Sequence, residues 1–358
     1  MNAAFPRAPA PELETLLAVS PDAYPQAVDL VRNLVLVIRM DARAYGAASF
    51  LDDRVLGPAT QGAWLPAAAV TRAARLATAI KPLHFIFHTG HVGSTLLSRL
   101  LDETGVGLGL REPMPLRTLA DAHDVLGRPE SLLALGQFHG LMDMLLRLWS
   151  RGYASTQAVT VKATSSAGRI APELLARSTA SRAVYMSLHA EPYLATLLGG
   201  ANSAIDLRGH GPGRMRRLLE GGELPVSPLH TFSPGELAAL GWLVETMARN
   251  RLSAAHGPRV LALDFDEFLT DVSGSLSRVL SHFRLALDEA ALESLARSPV
   301  LGQYSKAPHL SFPPGERAAR LAESRHENGA EIAKGLAWLE RRAREDPRIA
   351  AALSREAA

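Results

Sequence analysis

The chain contains no cysteine among its 358 residues. Disulfides, thiolate metal sites and cysteine nucleophiles are therefore excluded. It also has little net charge: 38 Lys and Arg stand against 36 Asp and Glu, a formal +2. That balance gives no electrostatic argument for a nucleic-acid partner, and none is expected. Long apolar runs are missing as well. The most apolar stretches are broken by charge before they could cross a bilayer, so no membrane span is expected. Residues 1–17 lack a basic region followed by an apolar core, which leaves the cytoplasm as the default location. The twelve histidines form no H-E-x-x-H or other metal spacing, so no metal is expected. No G-x-S-x-G elbow occurs, and no internal repeat is visible.

What is present is concentrated in residues 83–101, LHFIFHTGHVGSTLLSRLL. An apolar, aromatic-rich run reads as a short buried strand. It breaks at Thr89, Gly90, His91, Val92 and Gly93. From Ser94, the leucines at 96, 97, 100 and 101 recur at helical spacing. Strand, glycine-containing turn and a Ser-Thr helix start are the layout of a phosphate-binding loop. Glycines let backbone approach an anion, and the first amides of a helix point outward without internal partners. The helix dipole adds positive charge there. An ordinary strand-to-helix turn with a Ser/Thr cap has the same local pattern. A Walker A loop is excluded, because Ser94 follows Gly93 and no lysine comes after it. The Rossmann glycine pattern is absent too.

At 358 residues the chain is long for a single core. Its 47% hydrophobic and 21% charged residues suit a globular protein. Residues 1–80 are expected to form a mainly helical N-terminal cap, with a helix over 67–80 preceded by Pro66. In 81–358, candidate strands at 83–87, 106–110, 158–162, 182–188 and 260–264 alternate with helical patterns such as 131–150 and 234–255. Alternation of this kind predicts an α/β domain with a central parallel sheet and helices on both faces. Ligands of such sheets bind beyond the carboxyl ends of the strands. Residues 199–222, rich in glycine and carrying Arg208, Arg214, Arg216 and Arg217, read as a mobile insertion. The helices after Pro313 are laced with charge and solvated on one face.

The loop resembles the 5′-phosphosulfate loop of the sulfotransferase family, whose strand ends in a P-K-x-G-[ST]-[ST]-like turn. Gly93, Ser94, Thr95, Leu96 and Leu97 match its Gly-Ser/Thr part, while the family's lysine falls on His91. Residues 259–271, RVLALDFDEFLTD, resemble the family's late strand and acidic turn. Residues 182–198 occupy the place of its 3′-phosphate strand and helix. There the family serine falls on Thr196, and the family arginine falls near Ser187 or Leu188 and is missing. The resemblance implies a three-layer, P-loop-like α/β/α fold. It also implies 3′-phosphoadenosine-5′-phosphosulfate as cosubstrate and transfer of a sulfonate group to a hydroxyl or amine of an unknown acceptor. On it, residues 89–96 cradle the 5′-phosphosulfate, and Thr196 and Lys306 face the adenosine-side phosphate. A solvated loop lysine would explain Lys306 equally.

Such a transfer needs a base and a donor to the leaving phosphate. Glu112 follows the second candidate strand, where many bacterial members resemble this chain in placing a glutamate. It could also pair with Arg111 or cap the next helix. His91 can donate a hydrogen bond from the lysine position, or be a loop histidine held by backbone. Lys162 ends a central strand and points to the crevice, or snorkels. The missing lysine and arginine leave a second class of function open: a non-catalytic nucleotide- or partner-binding protein on the same scaffold.

Overall fold

The computed structural model describes residues 10–200, 203–220, 227–307, 309–313 and 315–354. Five strands form an all-parallel sheet: β4 (Leu83–His88), β5 (Gly107–Arg111), β6 (Ala158–Lys162), β7 (Ala183–Ser187) and β8 (Val260–Asp264). Their order is β5-β6-β4-β7-β8. The chain leaves central β4, crosses to edge strand β5, returns through β6, and then continues to the other side. Ligand crevices of open parallel sheets form where the order reverses, beyond the strand ends. Here that point is the end of β4, flanked by Lys162 of β6 and Ser187 of β7.

Alternation along β4 sends Phe85 and Phe87 into one core and Ile86 into the other. The helices of the main body are α4 (Ser94–Glu103), α5 (Met114–Asp124), α6 (Leu135–Trp149), α7 (Ala171–Ala176), α8 (Ala190–Leu198), α9 (Ser203–Leu219), α10 (Pro234–His256), α11 (Phe265–Thr270), α12 (Val272–Phe283), α13 (Glu289–Ala296), α14 (Glu316–Glu345) and α15 (Pro347–Ser354). Helices α5, α6 and α7 pack with Phe85 and Phe87, whereas α4, α8, α10, α12, α14 and α15 pack with Ile86. The predicted α/β fold with a central parallel sheet is therefore the fold observed.

The N-terminal region, expected to be mainly helical with a helix over 67–80, holds α1 (Ala10–Val19), α2 (Ala42–Ala47) and α3 (Ala67–Arg75). It is organised by an antiparallel sheet of β1 (Ala23–Asp29), β2 (Leu34–Arg39) and β3 (Gly62–Pro66). The run at 34–38 is apolar at every position and buried almost throughout, so it carries no alternation by which a strand could be told from a helix. Two buried arginines fasten this region to the main body. Arg151 donates to the carbonyls of Leu17, Ser20 and Ala23. Arg111, at the end of β5, donates to those of Tyr45, Gly46 and Ala48.

The described part of residues 199–222 also differs from expectation, 201, 202, 221 and 222 lying outside the described residues. Within them α9 runs for 17 residues with Pro212 inside it, and Arg214 and Arg217 are buried against the protein. Tertiary packing has overridden the weak helix propensity of a Gly- and Pro-containing segment.

Candidate functional site

Beyond β4 the backbone turns through three left-handed residues: Gly90 at φ +105°, His91 at +56° and Gly93 at +69°. Gly93 is the N-cap of α4 and offers no side-chain cap. The amides of residues 90 to 96 donate to no other protein group among the described residues; the first intrahelical bond here is from Leu97 N to Gly93 O, 3.0 Å. A run of free amides at a helix start is a site for an anion. Thr89, Val92, Ser94 and Thr95 are buried, and His91 is the exposed residue of the turn. The Thr89 hydroxyl is buried without a partner.

Gly93 has a second constraint. A Cβ there would lie 2.0 Å from Cε2 of Phe265, at the start of α11. An aromatic ring occupies the direction a side chain would take, so the position calls for glycine.

The histidines here are neutral at pH 7. His88 Nε2 lies 2.9 Å from the Ala163 carbonyl, so Nε2 carries the proton. Its Nδ1 is buried with no partner. Burial and then Lys162 hold its pKa well below the usual value. His91 is pushed down to about 4, by desolvation and then by the charge of Lys306. Because its side chain is exposed, the neighbouring cations Lys306, Arg214 and Lys162 give the firmer reason for that direction. Position 91 of this loop therefore carries a donor without charge.

Lys162 ends β6 and is 1% exposed along its side chain. Its Nζ donates to Glu112 Oε1, and Glu112 N donates to Lys162 O at 2.6 Å. Register makes this meeting possible: Arg111 is paired with Lys162 in the parallel ladder, so the residue after Arg111 reaches the strand end beside it. Glu112 adopts φ +51°, uncommon for a residue with a Cβ, and Pro113 follows. Burial lowers the Lys162 pKa, and Glu112 opposes the shift. Arg111 does not pair with Glu112; it pairs with Asp102, whose carboxyl burial raises to about 6. The N-terminal region closes this side. The Phe50 ring lies 5.9 Å from Lys162 Nζ, and the Arg54 guanidinium stacks on it at 3.5 Å.

Lys306 lies in a turn closed by Ala307 N to Tyr304 O, 2.8 Å. Arg99 of α4 holds that turn through Ser305 O at 2.8 Å. From there Lys306 acts electrostatically on His88, His91 and Lys162. Thr196 gives its hydroxyl hydrogen to Pro192 O, one turn back in α8, at 2.7 Å. The neighbour α8 offers to the loop is Tyr193, whose Oη would be 3.8 Å from a Cβ at Gly90. Arg249 of α10 reaches the end of β7 and donates to Ser187 Oγ at 3.0 Å. Thus an arginine from α10 stands at this strand end, a contact hidden from sequence because the two residues are 62 positions apart.

A cleft of about 440 Å³ lies beside the end of β8, lined by His189, Asp264, Asp266 and Arg278 among others, and does not include the loop. Among the described residues, no group of three His, Asp or Glu could hold a metal ion, and no helix is long and apolar enough to cross a membrane.

No family model matches the chain, and no curated protein sequence matches it. Solved structures do resemble its fold. A sulfotransferase domain from the curacin biosynthetic pathway is 14% identical, with 66% of this chain and 86% of that one covered, at a TM-score of 0.39. A sulfotransferase from Alicyclobacillus acidocaldarius is 14% identical over 73% of this chain and 94% of that one, at 0.39. Retinol dehydratase, solved with retinol and PAP, is 11% identical over 72% of this chain and 81% of that one, at 0.37.

Proposed function

We propose that this protein is a sulfotransferase that moves a sulfonate group from 3′-phosphoadenosine-5′-phosphosulfate to a hydroxyl or amine of an acceptor. The observation that carries the proposal is the pairing of the free-amide loop of residues 90–96 with Glu112 and Lys162 at the neighbouring strand ends. The loop supplies neutral donors for the 5′-phosphosulfate. One hydrogen bond of Lys162 goes to Glu112, and its ammonium has two further hydrogens to give to sulfonate oxygens. Glu112 accepts the proton of the attacking acceptor. An acceptor-to-sulfur bond forms as the bond from sulfur to the phosphate oxygen breaks, and 3′-phosphoadenosine-5′-phosphate leaves. His91, neutral and exposed, donates a hydrogen bond to that departing oxygen.

The acceptor approaches from the side bounded by Phe50 and Arg54 of the N-terminal region, a reading supported by the Phe50 ring near Lys162 and by Arg54 stacked on that ring. The test is transfer of ³⁵S from labelled cosubstrate to a panel of alcohols, phenols and amines, with Glu112→Gln as the control. Transfer by the parent and its loss in Glu112→Gln support the proposal. Nucleotide binding without transfer to any acceptor would instead favour a binding protein on this scaffold.

A further inference from the structure

Helix α9 carries two buried arginines one turn apart, and their charges are not equally matched. Arg217 meets the buried carboxylate of Glu245 at 2.9 Å. Arg214 has only Asp206, at 3.6 Å, a third exposed and also engaged by His210 at 3.4 Å. Nη1 of each arginine is buried with no hydrogen-bond partner, but only Arg214 lacks a carboxylate within hydrogen-bond distance on its other nitrogens. Its side chain is 8% exposed, so solvent does little to settle the charge. An incompletely matched buried guanidinium is costly unless an anion completes it.

Arg214 is within electrostatic reach of the loop. Its charge acts on His91 and on Tyr193, and Tyr193 Oη borders Gly90. Its guanidinium packs over Gly241 of α10, where a Cβ would come within 3.2 Å of Cζ. Space for the arginine is thus built into the neighbouring helix.

We infer that Arg214 is a ligand-binding residue that completes its hydrogen bonding on the oxyanion held by the 90–96 loop, supplying from α9 the charge that neutral His91 does not. The inference rests on the proposed nucleotide reading and adds a residue and a partner group to it. Arginine suits the task because its planar fork meets two oxygens of a phosphate at once.

The test is calorimetric titration of the full chain with 3′-phosphoadenosine-5′-phosphate and with adenosine 5′-phosphate. Arg214→Gln should weaken both at least tenfold, since both present a 5′-phosphate to the loop. Asp206→Asn, at a partly exposed position, should leave the fold intact and strengthen both severalfold by releasing the guanidinium. Opposite effects from the two variants are not what a purely structural arginine would give. Loss confined to the bisphosphate would place Arg214 on the second phosphate and overturn the inference. Unchanged binding of both nucleotides in Arg214→Gln would also overturn it. If Arg214→Gln fails to fold, Asp206→Asn decides alone, and no gain in affinity overturns the inference. Absence of binding to the parent would remove the nucleotide reading itself, and this inference with it.

Discussion

Glu112 and Lys162 hold each other twice across the ends of β5 and β6: side chain to side chain through Nζ and Oε1, and backbone to backbone at 2.6 Å. The backbone bond fixes Glu112 in its left-handed conformation, and the ion pair fixes its carboxylate at the crevice. Breaking a fully buried pair on one side costs roughly 3–5 kcal/mol; Glu112 is partly open, so Lys162→Met should fall at or below the low end of that range. Adding Glu112→Gln to Lys162→Met should recover part of the loss, because the stranded carboxylate is gone. Urea denaturation of the two single variants and the double variant measures this. Additive losses would mean that the two side chains do not depend on each other.

Turnover should separate from stability at the same position. Glu112→Gln keeps the shape and removes the base, a change worth roughly 10²- to 10⁴-fold in rate. Affinity for 3′-phosphoadenosine-5′-phosphate should stay nearly constant, because the loop amides are untouched. Steady-state kinetics beside calorimetry distinguish this from a general loss of fold.

Gly93→Val should act through Phe265. The new Cβ would meet the ring at 2.0 Å, at a backbone φ of +69°. Overpacking costs roughly 1–3 kcal/mol and the strained backbone roughly as much again. Phe265→Ala in the same chain should restore the packing part of the loss and leave the backbone part. Thermal unfolding of the single and double variants reads both, and no recovery would show that the ring is not the obstacle.

The loop and the sheet were legible in sequence for a shared reason. All five main strands fall within a residue or so of their predicted bounds, because each is a short apolar run bounded by polar or turn residues. Two glycines followed by helically spaced leucines placed the loop. The ion pair was not legible: Glu112 and Lys162 are fifty positions apart, and only the parallel register brings them together. Arg214 was hidden for another reason. Its helix contains three glycines and a proline, which locally argue for a loop, and packing on α10 outweighs them. The β1–β3 sheet was missed because the 34–38 run lacks the polar alternation of a half-exposed strand.

Stability should fall on the acid side partly through His84. Buried and stacked on Phe283 at 4.8 Å, it titrates at about 4, against 6.5 in the unfolded chain, chiefly because burial disfavours its charged form. Below 6.5 the unfolded chain takes up a proton that the folded chain refuses. The contribution is therefore present in full above pH 6.5 and lost as pH falls toward 4. Between pH 7 and pH 5 that is about 2 kcal/mol. His84→Leu gives up an acceptor for Arg182 N, so it should start less stable at pH 7 and lose less on acidification. Parallel slopes for parent and variant would contradict the assignment.

His91→Lys adds a cation at the exposed position of the turn. It should raise affinity for 3′-phosphoadenosine-5′-phosphate severalfold at pH 7 and make binding more sensitive to salt, since the added contact is electrostatic. Titrations at two ionic strengths check this. A folded variant with unchanged affinity would mean that residue 91 does not face the anion.

The 90–96 loop should hold the phosphate of a 3′-phosphorylated adenosine nucleotide rather than a triphosphate. Calorimetric titration of the parent chain with 3′-phosphoadenosine-5′-phosphate and, separately, with ATP and Mg²⁺ tests it most directly. The first should bind one-to-one and at least tenfold tighter than the second, because no Walker lysine follows Gly93 to meet a triphosphate. Equal or tighter binding of ATP, or no binding of either, would contradict it.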